Sequence, residues 1–434
     1  MMLNNKVDVI VVGAGPAGVS AGIVLARAGK SVIIVERGDF SGSKNMFGGA
    51  IYARPTSEIF PGFWETAPVE RHNSEHKYII MSDSDATTIS YKNADKGAYN
   101  SFTVIRAKWD RWCAEEAKKA GAILAPSTVV RELIKKDDKV IGIKTDIEDY
   151  YADIVILADG VNSLLAKQIG LRKEIKDDAV AVGIKEVIKL PKEKIEDRFN
   201  LDEKSGCVCE LVGGPFLGML GLGYIYTNKE SVTVGLGITL DELKKRQLKP
   251  YDLLNQLKEH PAISPLIKGG ELIEYSAHLI PEGGYKAVPK LYADGVMIVG
   301  DAAMLVNNIH WEGTNLAMMS GKYAAETAIE ALNNKDFSSG MLSLYQEKLD
   351  RSFVMKDLKS YKDVIGIVHS NAESFLGYYP RKICEFFDAF TRVDGVAKRV
   401  KFRRFIKYFV KDRRLSQLVR DAFDGIRMII GVLK

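Results

Sequence analysis

An α/β fold is predicted by three features of the 434-residue sequence. Near the start, an apolar run at residues 7–12 passes directly into a glycine-rich turn, a small-residue helix and a second apolar run that ends in an acid. Much later, residues 295–303 form another apolar run that ends in Gly300-Asp301. Between them, Ser231-Val232-Thr233-Val234-Gly235-Leu236-Gly237 alternates as a sheet with two unlike faces does.

Taken in order, residues 7–12 read as a strand buried on both faces of a parallel sheet. Gly13-Ala14-Gly15-Pro16-Ala17-Gly18 then fits G-x-G-x-x-G. Gly13 permits the tight turn, Gly15 lets backbone approach a pyrophosphate, and Gly18 permits close helix-to-strand contact. The helix at 19–28 points its unpaired amino-terminal N–H groups at the phosphates. A strand at 31–35 ends in Glu36, whose carboxylate suits the two ribose hydroxyls of an adenosine. Strand, turn, helix, strand and acid in this order make a Rossmann-like half that binds either FAD or NAD.

Two later segments select FAD. Asp301 stands at the carboxyl end of a buried strand, within reach of a ribityl chain. Gly313-Thr314-Asn315 opens a helix at 317–332 whose positive end suits flavin N1 and O2, where negative charge develops on reduction. No second nucleotide turn is present: Gly235-Leu236-Gly237-Ile238-Thr239-Leu240 has leucine where the third glycine belongs, and no acid-terminated strand follows. This argues against NAD(P)H as the direct donor.

Gly13 and Asp301 must meet one cofactor, so the nucleotide domain is expected to be discontinuous. It takes residues 1–45, 100–170 and 290–335, with Arg106 opening a helix to Ala120 and a strand following at 121–124. Residues 46–99 and 171–289 are expected to build an inserted, mainly β substrate domain, and 336–434 a helical carboxyl-terminal region. Apolar residues at 46% and charged residues at 27% exclude disordered and fibrous classes. Four scattered cysteines are too few for a disulfide framework, and residues 1–6 lack signal-peptide features, so a reducing, cytoplasmic location is expected. The longest uncharged run, 211–228, is broken by glycines and Pro215 and reads as strands and turns, not a membrane span. Twelve Lys or Arg against three Asp after residue 397 give +9, which leaves about −4 for the rest of a chain whose net charge is +5.

With its amino-terminal turn, Gly300-Asp301, and Asp159-Gly160 after a strand at 154–158, the chain resembles a flavoprotein superfamily. That superfamily includes aromatic hydroxylases, geranylgeranyl reductases and electron transfer flavoprotein:quinone oxidoreductases. Within it, Ser41-Gly42-Ser43-Lys44-Asn45-Met46-Phe47-Gly48-Gly49 and the stretch 223–236 resemble the FixC type of the last group, over nearly the whole length. The resemblance implies FAD as cofactor. Gly48 and Gly49 would lie by the isoalloxazine, Lys44 would bring positive charge near it, and Arg106 would lie on the flavin side; Arg37, Val129 and Ala158 would make further contacts. It also implies electrons entering from a two-subunit electron transfer flavoprotein and leaving toward a quinone or a ferredoxin-like protein. Larger mitochondrial-type members hold a four-cysteine iron-sulfur cluster. Here Cys384 stands alone after Cys209, so no metal is expected on this chain and a separate ferredoxin-like protein supplies the cluster. Cys207 and Cys209 are read as structural. Where geranylgeranyl reductases carry Trp-x-Phe-Pro, this chain has Tyr224-Ile225-Tyr226-Thr227. A reductase of that type, or a monooxygenase acting on a small apolar substrate, is the alternative.

His310, just before the flavin-facing helix, is the expected proton carrier by position and ordinary pKa, against the plainer reading of a hydrogen-bonded loop histidine. Tyr224, Tyr226 and Trp311 are expected to border the quinone. In the tail, Phe402, Phe405, Ile406 and Phe409 fall at helical spacing among cations. This suits the inner face of an anionic membrane or an acidic redox partner, against the plainer reading that the stripe packs on the protein itself with its cations solvated, while no motif supports nucleic acid.

Overall fold

The computed structural model describes residues 6–44, 48–92 and 99–433; Asn45, Met46 and Phe47 of the 41–49 loop lie outside the described residues. The chain divides into two compact units, the first of residues 1–70, 100–180 and 278–362, the second of residues 71–99, 181–277 and 363–434.

In the first unit the sheet runs Tyr292–Ala293, Val296–Ile298, Asp149–Leu157, Lys6–Val12, Val32–Val35, Ile123–Ala125. All of these after the first are mutually parallel. Val9, Ile10, Val11, Ile154, Val155 and Ile156 are fully buried, so both faces of the sheet are covered. Each such side chain contributes about 1.5–3 kcal/mol relative to exposure. Helices Pro16–Arg27 and Thr314–Asn334 pack so closely that a Cβ on Gly321 would lie 2.0 Å from the Ala17 carbonyl oxygen. Parallel pairing brings the carboxyl ends of the strands to one edge. There Gly13 N–H donates to Val35 O (2.7 Å), Ala158 N–H to Val12 O (2.8 Å) and Val299 N–H to Leu157 O (2.9 Å), which sets three chemically loaded turns side by side.

Residues 46–70 and 336–362, set apart from the nucleotide domain in the sequence reading, belong to this first unit. Ala50–Tyr52 pairs antiparallel with Ser101–Val104, and Phe63 meets the rings of Phe102 and Trp109 edge-on. From helix Leu344–Arg351, the Tyr345 hydroxyl donates to Ile298 O (3.0 Å). These contacts join residues distant in sequence, and sequence pattern does not report them.

In the second unit the strands run Glu271–Pro281, Val180–Lys189, Ser231–Thr239, Gly221–Thr227, Ser205–Gly213, Val69–Met81, with Ala86–Lys92 paired to the last. One face carries Ile184, Cys209, Leu211, Ile225, Val234 and Leu236 into a core with Phe199 and Leu254. Cross-strand register places Glu210 opposite Tyr224, and Val208 opposite Tyr226, on the other face. The uncharged run 211–228 ends one strand, turns, and forms the next, as its glycines predict.

Three helices, Tyr379–Thr391, Lys398–Lys411 and Leu415–Leu433, close the chain. Of the readings open for the tail stripe (a membrane, a partner, or the protein itself), packing on the protein is what three of its four residues show. Phe402 and Phe405 lie against Phe386, and Phe409 against Tyr378 and Tyr379, all within the second unit. The preceding helix offers its own aromatic face, so the stripe packs inward; Ile406 alone of the four stays exposed.

Candidate functional site

The first unit gathers most of the expected cofactor residues at the carboxyl edge of its sheet. Gly13 takes φ +106°, and a Cβ there would meet the Ala158 carbonyl oxygen at 2.3 Å. A Cβ on Gly18 would lie 1.9 Å from the Gly13 carbonyl oxygen and 3.2 Å from the Ala158 Cβ. Gly15 flanks the helix, with Pro16 in its first turn, where a missing N–H costs nothing. The Glu36 carboxylate accepts from Ala14 N–H (2.9 Å) and Gly38 N–H (2.7 Å), tying the second strand to the glycine turn.

Lys44 places its stem near Gly38, where a Cβ would meet Lys44 Cγ at 3.3 Å and Glu36 Oε1 at 3.1 Å. It therefore sits on the Glu36 side of the site. Val129 is held nearby, since Thr128 N–H donates to Glu36 O (2.9 Å) and Val129 N–H to Asp146 Oδ1 (2.9 Å). Arg37 is exposed.

Gly48, Arg106 and Thr314 come together from three distant segments: a Cβ on Gly48 would be 3.6 Å from Arg106 Nη1 and 4.0 Å from Thr314 Oγ1. Gly49 O accepts from Val104 N–H (2.8 Å). The buried Arg106 guanidinium makes a two-pronged pair with Asp110, both bonds 2.9 Å. Gly313 precedes the helix, and Asn315 is buried, with Nδ2 donating to Glu312 Oε2 (3.1 Å). Gly300 takes φ +61°, and its N–H donates to Ser320 Oγ (2.9 Å).

Two carboxyls stand close to this edge. Burial pushes Asp301 up to about 6, partly opposed by the Arg106 and Arg172 guanidinium groups. Burial likewise raises Asp159 to about 6, against a hydrogen bond from Ser163 Oγ (3.1 Å); Gly160 follows at φ +76°. Arg172, which the sequence reading missed, donates to Ala302 O (3.0 Å) and answers both acids. His278 was missed too: burial, then Arg106 and Arg37, depress it to about 4 and keep it neutral. Nothing in their local sequence marks either residue, because Asp301 and Ala302 lie about 130 positions from Arg172, and Arg106 and Arg37 farther still from His278.

His310 lies exposed on the first unit, its Nε2 2.6 Å from the Tyr361 hydroxyl. Trp311 takes φ +55° in the same loop, which the Asn307 and Glu312 backbones close. Glu282, a third missed residue, is pushed up to about 7 by burial and held by its backbone to Ala179 O (2.8 Å) and Asn308 Nδ2 (2.6 Å).

In the second unit Tyr224 and Tyr226 stack at 4.6 Å, and Gly235 leaves the space that Tyr224 fills. Between Tyr224 and Tyr78 in register stands half-buried Glu210, raised to about 7 by burial. No hydrogen bond from the described residues reaches its carboxyl. A lone acid in an otherwise apolar strand was the signal for it. Asp241, Glu242 and His369 bring ligand-type atoms within 4.8 Å, but Arg246 Nε pairs with Glu242 at 2.8 Å and His369 Nε2 with Asp241 at 3.1 Å.

Three family models match in series: an FAD binding domain over residues 6–201, the ubiquinone-binding region of ETF-QO over 180–280, and the ETF-QO/FixC family C-terminal domain over 365–430. Protein FixC of Bradyrhizobium diazoefficiens is 44% identical over 428 residues, 97% of this chain and 98% of that protein. The chain belongs to the ETF-QO/FixC family. Protein FixC of Escherichia coli K12 shares 39% over 97% of this chain and 99% of its own length. This ETF-QO/FixC member is an FAD-dependent oxidoreductase. Among solved structures, a geranylgeranyl bacteriochlorophyll reductase-like protein from Thermoplasma acidophilum superposes with a TM-score of 0.74 at 21% identity, covering 97% of this chain and 99% of its own. The flavin-dependent brominase Bmp2 does so at 0.65 and 17%, covering 94% and 100%. At such identities they share the fold alone, and the α/β, Rossmann-like FAD domain expected from the sequence is that fold.

Proposed function

We propose that the protein takes electrons from a two-subunit electron transfer flavoprotein and delivers them to a quinone, with a separate ferredoxin-like iron-sulfur protein as a second outlet. The observation that carries this reading is a single dinucleotide turn. Gly13–Gly18 opens onto a helix, whereas Gly235, Leu236 and Gly237 lie inside strand Ser231–Thr239 with ladder partners on both sides, and so form no second turn. The cysteines support an external cluster. All four are buried, and only Cys207 and Cys209 adjoin, at 3.7 Å, where a cluster needs four thiolates.

The site's chemistry fits an FAD. Asn315 Oδ1 is buried with no partner, and no hydrogen bond from the described residues reaches the Asp301 carboxylate, so both await one. When bound, FAD supplies one- and two-electron transfer. The Gly13–Gly18 turn and the free N–H groups in the first turn of Pro16–Arg27 would hold the pyrophosphate, Glu36 the ribose, and Asp301 the ribityl chain. Lys44, Val129 and Arg37 would serve the Glu36 side, and Gly48, Gly49, Arg106, Ala158, Asp159, Gly160, Gly313, Thr314 and Asn315 the flavin.

The test is anaerobic stopped-flow reduction with each donor. Reduced electron transfer flavoprotein is expected to bleach the flavin at least about a hundredfold faster than NADH at equal concentration. Fast reduction by NADH alone would defeat the reading and favour the monooxygenase alternative.

Quinone reduction also consumes protons. We assign their delivery to Glu210 on the Tyr224 and Tyr226 face, in preference to the surface His310. Its carboxyl holds a proton below about pH 7, so quinone turnover falls as pH rises through that value. Glu210→Gln is expected to slow quinone turnover about a hundredfold and to remove this pH dependence, while flavin reduction by the partner is unchanged. An unaltered pH profile would return the role to another group.

A further inference from the structure

Asn315 lies in the first turn of helix Thr314–Asn334 and is 4% exposed. Its side-chain amide has two polar ends, and the described residues satisfy one of them. Asn315 Nδ2 donates to Glu312 Oε2 (3.1 Å), while Oδ1 is buried with no partner. Glu312 decides which end is which. A carboxylate accepts hydrogen bonds and has none to give, so the amide nitrogen must face Glu312 and the oxygen must face away. Half-buried Glu312 is itself held by its backbone: its N–H donates to Asn307 O (3.0 Å), and its carbonyl accepts from Asn307 N–H (2.9 Å). Asn307 Oδ1 in turn accepts from the N–H groups of Ile309 (3.2 Å) and His310 (3.4 Å), and Trp311 turns the chain at φ +55°. Burial raises the Glu312 pKa, opposed by the Asn315 bond and by His310, with Asp357 adding to the rise.

We infer that Glu312 is a positioning residue: by fixing the Asn315 amide it presents an acceptor to the FAD, which meets it with an N–H or hydroxyl group. An amide with no such anchor can turn either end toward the cofactor, because its oxygen and nitrogen differ little in size. Turned the wrong way, it would set donor against donor and leave both buried groups without a bond. A plainer role for Glu312 is to offset the positive end of the helix by its charge. That role is blind to which end of the amide faces the cofactor, and this difference makes the two separable. The inference rests on the proposed placement of Asn315 beside the flavin, and on neither the electron donor nor the quinone.

The experiment exchanges the two groups. Asn315→Asp and Glu312→Gln each keep the parent's shape, and together they rebuild the pair with its hydrogen bond reversed. The new amide at 312 donates, one oxygen of the new carboxylate at 315 accepts, and the other oxygen still offers the cofactor an acceptor. FAD affinity is read by equilibrium dialysis against the cofactor-free full-length chain, and the flavin midpoint potential by dye-coupled titration of the loaded one. Asn315→Asp alone sets two carboxylates against each other and is expected to weaken FAD about tenfold or more. Glu312→Gln alone, which frees the amide to turn, is expected to weaken it about three- to tenfold. The double variant is expected to return to within about threefold of the parent. Its midpoint potential should fall below the parent's, since the negative charge has moved toward the flavin. Far-UV dichroism and the melting of each cofactor-free variant separate these effects from misfolding. A double variant as weak as Asn315→Asp, or single effects that add where they should cancel, would overturn the inference. Asn315→Ala isolates the placement: parental affinity and potential in that variant would mean that Asn315 lies away from the flavin. If Asn315→Ala loses FAD and the double variant does not regain it, the placement stands and only the role of Glu312 fails.

Discussion

Gly18→Ala is expected to leave a protein without FAD, destabilised by about 3 kcal/mol or more, since overpacking of this severity exceeds the usual range. The added Cβ would stand 1.9 Å from the Gly13 carbonyl oxygen, and backbone, not a flexible side chain, must move to admit it. Gly13 is itself pinned by its bond to Val35 O and by the Ala158 carbonyl, so the turn cannot yield without parting the first helix from the sheet. Gly29→Ala is the control. Gly29 takes a left-handed backbone, φ +72°, which Gly18 does not, but nothing lies within 4 Å of a Cβ there, so the cost is about 1 kcal/mol of backbone strain and FAD is retained. Thermal unfolding and the flavin-to-protein absorbance ratio measure both. Equal effects of the two substitutions would mean that space at Gly18 is not what the turn requires.

Asp301→Ala is expected to weaken FAD binding by roughly ten- to a hundredfold, the worth of a charge-assisted hydrogen bond in a buried site. The fold should survive, because no hydrogen bond from the described residues depends on that carboxylate. Its removal has an effect of opposite sign on the cofactor-free protein. Burial raises the Asp301 pKa from 3.8 to about 6, so the folded state binds its proton more tightly than the unfolded chain does. Stability from this group is therefore greatest in acid, falls as pH rises from about 4 to about 6, and stays low above. Asp301→Asn in cofactor-free protein should flatten that fall and raise the melting temperature at neutral pH. Unchanged cofactor content in Asp301→Ala, measured by equilibrium dialysis of FAD, would remove Asp301 from the site.

Much of this was legible in the chain because its signals are local. A buried strand, a glycine turn and a terminal acid follow one another within about thirty residues, and Gly13 and Gly18 meet steric demands that no other residue satisfies. Gly300-Asp301 likewise declares itself by ending an apolar run. Lys44 was legible as a charge in a glycine loop, but not in its place beside Gly38 and Glu36.

What the tail does was beyond the sequence for a definite reason. Two amphipathic helices follow one another, and helical spacing reports which residues share a face but not what that face meets. Phe402, Phe405 and Phe409 turn inward because the aromatics of Tyr379–Thr391 receive them. The apolar stripe of Leu415–Leu433 turns outward because Arg413, Tyr379 and Asn371 capture Asp421 and Asp424 opposite it. By itself the sequence determined the FAD-binding fold, the family and the order of elements, since close neighbours in the chain encode them. Only the tertiary structure decided the charge setting: Arg172 near the carboxyls, His278 near Arg106 and Arg37, and the burial that lifts Asp301 and Glu210 toward neutrality. Desolvation and long-range pairing depend on what the folded chain places around a group, which no run of adjacent residues contains.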